Sequence, residues 1–445
     1  MAAAPTPDLE PVEPVDLDAP IRAIGTDLAA RMPRPRAVST ARVERRMQEL
    51  LISDPGLRAA LFRFVDVRPA CATPADVTRH LDELLEQAQD SKHARRATGI
   101  TGRRFATRPV AALAATGVKQ MAQRFIVGED ATDALPAITA LWKRGVDATV
   151  DLLGEATVTE AEADRYAARC EDTLRALAQA AHHHPGRDVN LSVKVSALTP
   201  LLRRPEAPER GIEGAAPRLR HLLRVARDVG AHLHVDMESF DTREAITTLT
   251  LDLLAEPEFA TGPSAGIVLQ AYLTESDEHL QTLLDWAREH PRTHPFTIRL
   301  VKGAYWDHEV VQAAQNGWAA PVFTDRRECD RNFERLTKRL IDHAGPIKVA
   351  IASHNLRSIA HAAAYADARG VGNDDLEFQI LRGLGDDTQA AIAATGRRVR
   401  CYCPVGDLVA GMAYLVRRLL ENTANDSFLA AHAGGADTAE LLEAP

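Results

Sequence analysis

Aromatic side chains make up only 5% of this 445-residue chain, cysteines number five, positive charge is not in surplus, and no long apolar run occurs. Each shortage excludes something. A net charge of −9 with so few aromatics leaves no general nucleic-acid footprint, so any basic patch must be local. Cys71, Cys170, Cys329, Cys401 and Cys403 are odd in number and scattered, without a C-x-x-C pair. That pattern points to a reducing compartment rather than a disulfide framework, and the spacing of Cys401 and Cys403 suits neither zinc nor redox chemistry. No stretch approaches the roughly 18 to 20 apolar residues that cross a bilayer, and the opening M-A-A-A-P-T-P-D-L-E-P lacks a basic region followed by an apolar one. Cytoplasm is the expected compartment.

What is present falls into four parts. Residues 1–35 are rich in Pro and Ala with little to bury, which predicts a disordered tail. Residues 36–109 read as a helical arm and a basic linker. Val43, Met47, Leu50 and Leu51 follow a helical period, and Thr73 before Pro74 reads as an N-cap with proline at the first helical position. Arg95, Arg96, Arg103, Arg104 and Arg108 belong to a block of like charge that ordinarily faces water. Residues 110–430 alternate strand and helix patterns, and 431–445 read as a flexible tail.

Eight short β-type runs stand out: Arg124–Val127, Ala148–Leu153, Val189–Ala197, His232–Met237, Gly266–Leu273, Phe296–Val301, Lys348–Ser353 and Leu376–Leu381. Strands buried on both faces should be apolar, yet Lys194, Asp236, Gln270, Arg299, Lys302, His354 and Gln379 lie at or near their ends. A (β/α)8 barrel accounts for this, because its chemistry gathers at the C-terminal mouth. The α/β fold expected is a TIM barrel with an N-terminal helical arm and an extra C-terminal helix over the mouth.

Several constellations could carry that chemistry. In the helix predicted over 407–421, Leu408, Met412, Leu415 and Leu419 make an apolar stripe, while Tyr414, Arg417, Arg418 and Glu421 share another face. Adjacent guanidiniums suit a carboxylate or phosphate, although a solvated face explains them equally well. The stretch R-L-V-K-G-A-Y-W-D at 299–307 places two cations, a glycine and two aromatics within a few residues. An inward Arg299 needs a partner. Alternation puts Ser192, Lys194 and Ser196 on one face, and His234, Asp236 and Glu238 on another. Lys194 and Asp236 could then pair as an internal salt bridge. Gly383 and Gly385 precede a helix where many barrels hold a phosphate, whereas His182, His183 and His184 read as exposed.

Taken together, R-L-V-K-G-A-Y-W-D at 299–307, S-H-N at 353–355, L-E-F-Q at 376–379 and Y-L-V-R-R-L-L-E-N at 414–422 resemble the proline dehydrogenase family, including the corresponding domain of bifunctional proline utilization A proteins. The resemblance implies a distorted barrel holding FAD, oxidation of L-proline to Δ1-pyrroline-5-carboxylate, and a quinone as electron acceptor. By matching motifs it implies that Lys194, Arg417 and Arg418 bind the substrate carboxylate. Asp236 and Arg299 are similar to the active-site acid and the flavin-side arginine. Met237, Gln270, Val301, Lys302, Gly303, Ala304, Ser353 and His354 match flavin contacts, with Phe428 a further one. Tyr305, Leu381, Tyr402, Tyr414 and Glu421 match the proline pocket, and Glu129 would gate it by pairing with Arg417. Ser353 stands where the family commonly has threonine, which keeps the hydroxyl.

No G-x-G-x-x-G fingerprint or nucleophilic-cysteine motif appears, so the expectation is that the second step of proline catabolism lies elsewhere or that this chain is a fragment of a bifunctional enzyme. A quinone acceptor makes peripheral contact with the inner face of a membrane compatible with this reading. Two other readings fit the residues alone. One is a Schiff-base lyase or aldolase using Lys194 or Lys302. The other is a membrane-surface scaffold acting through the helical arm.

Overall fold

A computed structural model describes residues 16–32, parts of 54–87, and residues 125–154, 157–202, 208–407 and 437–445. Eight parallel strands close into a barrel in chain order. They are β1 (Asp147–Leu152), β2 (Asn190–Val193), β3 (His232–Val235), β4 (Ser264–Gln270), β5 (Phe296–Val301), β6 (Ile347–Ala352), β7 (Leu376–Leu381) and β8 (Val399–Val405). Helices wrap the outside: α3 (Ala131–Lys143), α4 (Glu160–Ala181), α5 (Pro208–Asp228), α6 (Phe240–Leu254), α7 (Ser276–Glu289), α8 (Trp306–Asn316), α9 (Arg326–Asp342), α10 (Leu356–Arg369) and α11 (Asp386–Ala394). Outside this cycle lie α1 (Asp18–Arg31), α2 (Pro74–Gln87) and α12 (Thr438–Leu441). Among the described residues no helix is long and apolar enough to cross a membrane.

The strand register differs from the expected one at both ends of the series. The described residues of the run Arg124–Val127 form no strand; Val127 instead donates its N–H to Pro404 O at 2.9 Å, beside the end of β8. The closing strand is Val399–Val405, which pairs with both β7 and β1. It escaped detection because Arg400, Tyr402 and Pro404 alternate with its apolar residues, whereas a short apolar run such as F-I-V imitates a strand that tertiary packing never forms. The barrel therefore starts one unit later along the chain.

Strict alternation governs the strands. Val150, Leu152, Leu191, Val193, Ile267, Leu269, Ile298, Leu300, Phe378 and Ile380 are buried in the main apolar core. The opposite parity is largely polar and fills the lumen: Thr149 Oγ1 donates to Asn190 Oδ1 at 2.9 Å, and His232 bonds Ser264 at 2.8 Å and His234 at 3.1 Å. Bonds between non-neighbouring strands, such as Arg299 on β5 to Ser192 on β2 at 3.2 Å, run through the barrel interior. Many barrels fill this space with Val, Ile and Leu. Here a polar ladder takes their place.

Helix ends follow the local sequence. Thr159 and Glu162 form a reciprocal capping box on α4, and Asp130, Asp325 and Asn355 cap α3, α9 and α10. The Thr73 cap on α2 is also present, with Asp76 N–H donating to Thr73 Oγ1 at 3.2 Å.

Both tails need correction where they are described. Residues 18–31, placed in a disordered tail by composition, form α1, whose Ile21 and Leu28 join the main core. Leu442, in the segment read as flexible, is 1% exposed and sits against Gly25 of α1, where a Cβ would come within 2.3 Å of it. Arg357 Nη1 donates to Leu442 O at 2.7 Å. Composition undervalued these segments because a few apolar side chains at i, i+4 and i+7 suffice once a receiving surface exists. The patterned segment 36–50 and the arginine block 95–108 lie outside the described residues.

Candidate active site

Parallel strands deliver their last residues to one rim, and the polar end residues meet there. Lys194 follows β2, Asp236 follows β3, Gln270 ends β4, Arg299 lies two residues before the end of β5, Ser353 follows β6, Leu381 ends β7 and Tyr402 sits in β8. Register brings them level, with Val193 opposite Val235, Val268 opposite Arg299, and Leu381 opposite Tyr402.

Asp236 is the hub. Its Oδ1 accepts from Arg299 Nη1 at 2.8 Å, and its Oδ2 accepts from the Tyr402 hydroxyl at 2.5 Å. The Arg299 guanidinium also stacks over the Tyr402 ring at 5.4 Å, and its side chain is only 3% exposed. The partner that an inward arginine requires is therefore Asp236, with Ser192 as a second acceptor. Burial, reinforced by Asp151 and Asp236, pushes the Tyr402 phenol well above its ordinary value, so it stays a neutral donor.

Lys194 pairs less closely with Asp236 than strand neighbourhood suggested, since Nζ lies 3.5 Å from Asp236 Oδ2. Its short contact is with Asp151 Oδ1 on β1. Burial pulls the Lys194 ammonium toward deprotonation, but Asp151 and then Asp236 overcome this and hold it well above its usual range. The Lys194 N–H donates to the Tyr166 hydroxyl at 3.2 Å, fixing the backbone as well. Beyond Lys194 the alternation ends: Val195–Ala197 is a 3-10 turn, and Ser196 Oγ donates to Glu238 Oε2 at 2.5 Å.

The β4 and β5 exits form a second wall. Gln270 Nε2 donates to Glu238 O at 2.9 Å, and Met237 is buried beside that segment. Val301 O and Lys302 O accept from Ala271 and Tyr272 N–H at 2.9 and 2.7 Å. Lys302 Nζ is held by Asp330 on α9. Gly303 has φ +130°, and a Cβ there would come within 2.3 Å of the Tyr272 ring, so only glycine lets the two exits close together. Ala304 is exposed, Tyr305 half-buried, and Trp306 donates Nε1–H to Phe323 O at 2.9 Å. Glu309 on α8 accepts from Phe240 N–H at 2.8 Å and so ties this turn to α6. Ser353 Oγ accepts from Asn355 N–H at 3.1 Å, with His354 between them.

Thus Lys194, Asp236, Met237, Gln270, Arg299, Val301, Lys302, Gly303, Ser353, His354, Leu381 and Tyr402 all lie at the C-terminal rim. Glu129 is exposed on the segment beside β8. Arg417, Arg418, Tyr414, Glu421 and Phe428 lie outside the described residues. Among the described residues no His, Cys, Asp and Glu group could hold a metal ion. Sequence reading passed over Asp151, Asp330, Tyr166 and Glu309. A signal existed for Asp151, an acid inside the run A-T-V-D-L-L; the others reach the site from helices and carry no local pattern.

Comparison with known proteins gives this rim a lineage. The proline dehydrogenase family model matches residues 134–431, and the model of the proline utilization A N-terminal domain matches 18–125. The chain is 33% identical over 323 residues to the bifunctional protein PutA of Salmonella typhimurium, covering 70% of this chain and 24% of that protein. It is 30% identical over 329 residues to proline dehydrogenase of Deinococcus radiodurans, covering 73% of this chain and 94% of the relative. A crystal structure of proline utilization A from Bdellovibrio bacteriovorus, inactivated by N-propargylglycine, superposes with a TM-score of 0.87 at 34% identity, over 97% of this chain and 44% of that one. The chain thus spans about a quarter of the length of the bifunctional relatives. With a family model matched across the whole barrel, the chain belongs to the proline dehydrogenase family.

Proposed function

We propose that this chain oxidises L-proline to Δ1-pyrroline-5-carboxylate with FAD, and that a quinone receives the electrons. The observation that carries this reading is the Asp236 hub, which joins Arg299, Tyr402 and the neighbourhood of Lys194 at one barrel mouth. The residues at hand fit a flavin. Gln270 Oε1 and Arg299 Nε are buried without a hydrogen-bond partner among the described residues, so a polar group arriving there would relieve them. Gln270, Arg299, Lys302, Ser353 and His354 would hold the cofactor, together with Met237 and the 301–304 backbone. FAD, when bound, supplies the two-electron acceptor for the hydride removed from the proline ring carbon.

The chain's own residues orient and stabilise. Lys194 has two carboxylate neighbours and a third N–H to give to the substrate carboxylate. Arg417 and Arg418 complete the clamp in this reading; by formal charge Asp151, Asp236, Lys194 and Arg299 sum to zero, so an anion needs further cations. Asp236 has both oxygens engaged and acts as an electrostatic anchor for Arg299 and Tyr402. Leu381, Tyr305 and the Tyr402 ring would line the apolar side of the proline ring and exclude water.

A Schiff-base role for Lys194 is disfavoured, because an ammonium flanked by Asp151 and Asp236 is a poor nucleophile. The visible spectrum of the purified chain tests the reading. A flavin band that L-proline bleaches is expected; a colourless protein, or a flavin that proline leaves oxidised, overturns it.

A further inference from the structure

The clearest group in the site without an assigned part is Asp151. It is an ionisable side chain inside β1, 1% exposed, in a strand whose outward residues are all apolar. We propose that Asp151 is a positioning residue, the carboxylate that aims the Lys194 ammonium at the carboxylate of an amino-acid substrate. The inference rests on the function proposed above and adds a residue to it.

Three observations carry it. Asp236 already satisfies its oxygens with Arg299 at 2.8 Å and Tyr402 at 2.5 Å, and it meets Lys194 only at 3.5 Å. Its hold on Lys194 is the looser of the two carboxylate contacts. Asp151 Oδ1 makes the short contact, from a position opposite Ser192 in the β1 to β2 register and hence beside the residue two places before Lys194. The lysine stem is long and flexible, and its head is a point charge without a built-in geometry, so a rigid strand carboxylate supplies the direction. Among the described residues, the charged and titratable groups around Lys194 are Asp151 from β1, Tyr166 and Cys170 from α4, Asp236 beyond β3 and Tyr305 beyond β5, with Arg299 and Tyr402 behind Asp236. Of these, Asp151 is the largest influence keeping the ammonium charged against burial.

Replacing Asp151 by Asn keeps the shape and removes the charge. The buried Lys194 of Asp151→Asn then loses its proton at a lower pH than in the parent. KM for L-proline should rise about tenfold between about pH 7 and about pH 10 relative to the parent profile, while kcat moves less than about threefold. Profiles that superimpose would overturn the proposal, since a merely structural aspartate would not reshape KM against pH. A second comparison does not depend on turnover. Lys194→Met strands a buried carboxylate, so the Lys194→Met/Asp151→Asn double variant should melt at a higher temperature than Lys194→Met alone. A double variant that melts at or below the single one refutes the coupling. Failure of the enzymatic reading itself would appear separately, as a parent flavin that L-proline does not bleach, and leaves the melting comparison intact.

Discussion

Arg299 shows what a single residue must do to place a charge inside a barrel. A guanidinium 3% exposed survives there because Asp236 and Ser192 accept from its fork and Tyr402 offers a ring face. Among the described residues, removing it leaves the buried Asp236 with Tyr402 and with Lys194 at 3.5 Å. Arg299→Met is therefore expected to lose about 3 to 5 kcal/mol of unfolding free energy in urea titration, and to purify with little flavin. Asp236→Asn added to it should recover part of the loss, because the stranded carboxylate is gone. A singly substituted protein of parental stability and full flavin content would contradict the hub.

At the scale of elements, the site depends on how strand exits are tied together. The β5 exit is pinned to the β4 exit by backbone bonds at 301–302 and by the Tyr272 ring lying where a Cβ of residue 303 would be. Gly303→Ala would meet both a φ of +130° and a contact of 2.3 Å. We expect it to cost about 1 to 3 kcal/mol and to displace the 302–305 turn, read as reduced flavin occupancy and a lower melting temperature. Adding Tyr272→Ala should relieve the clash but not the backbone strain, so recovery should be partial; full recovery, or no effect of Gly303→Ala, would show that the turn is not so constrained. The same logic of receiving surfaces explains α1, which is held by Leu442 from the opposite end of the chain.

At the scale of the whole molecule, the two ends of the barrel divide chemistry from stability. The N-terminal end carries Arg400, 2% exposed, bonded to Glu377 Oε1 at 2.8 Å and Asp188 Oδ2 at 2.8 Å, next to a polar cavity of about 180 Å³. Burial alone would raise both acids, but Arg400 and Arg398 outweigh it and pull Asp188 and Glu377 down to about 2. Folded values below the unfolded ones mean that this stabilisation is complete above about pH 4.5 and is lost as pH falls toward about 2. Asp188 keeps 38% of its side chain in solvent, so Glu377 carries most of the effect. His232 and His279, pushed down by burial to about 3 and about 4, add a second acid-sensitive contribution, lost from about pH 6.5 downward as the unfolded imidazoles take up protons. Urea unfolding of Arg400→Met should show a loss of about 3 to 5 kcal/mol near neutral pH that shrinks near pH 3. A penalty independent of pH would remove the electrostatic account.

Much of this molecule was written locally. The β-type runs carried the alternation, Thr73 and Pro74 announced a helix start, and R-L-V-K-G-A-Y-W-D and S-H-N marked the mouth, whereas L-E-F-Q opens β7 at the opposite end of the barrel; strand parity and capping depend on near neighbours alone. The closing strand, the order in α1 and around Leu442, and the partnership of Lys194 with Asp151 were decided elsewhere. Each depends on residues tens to hundreds of positions apart coming within contact distance, and only barrel closure fixes which side chains those are. One chain thus determined where its polar groups would stand along each strand. Packing in three dimensions chose which of them would face one another.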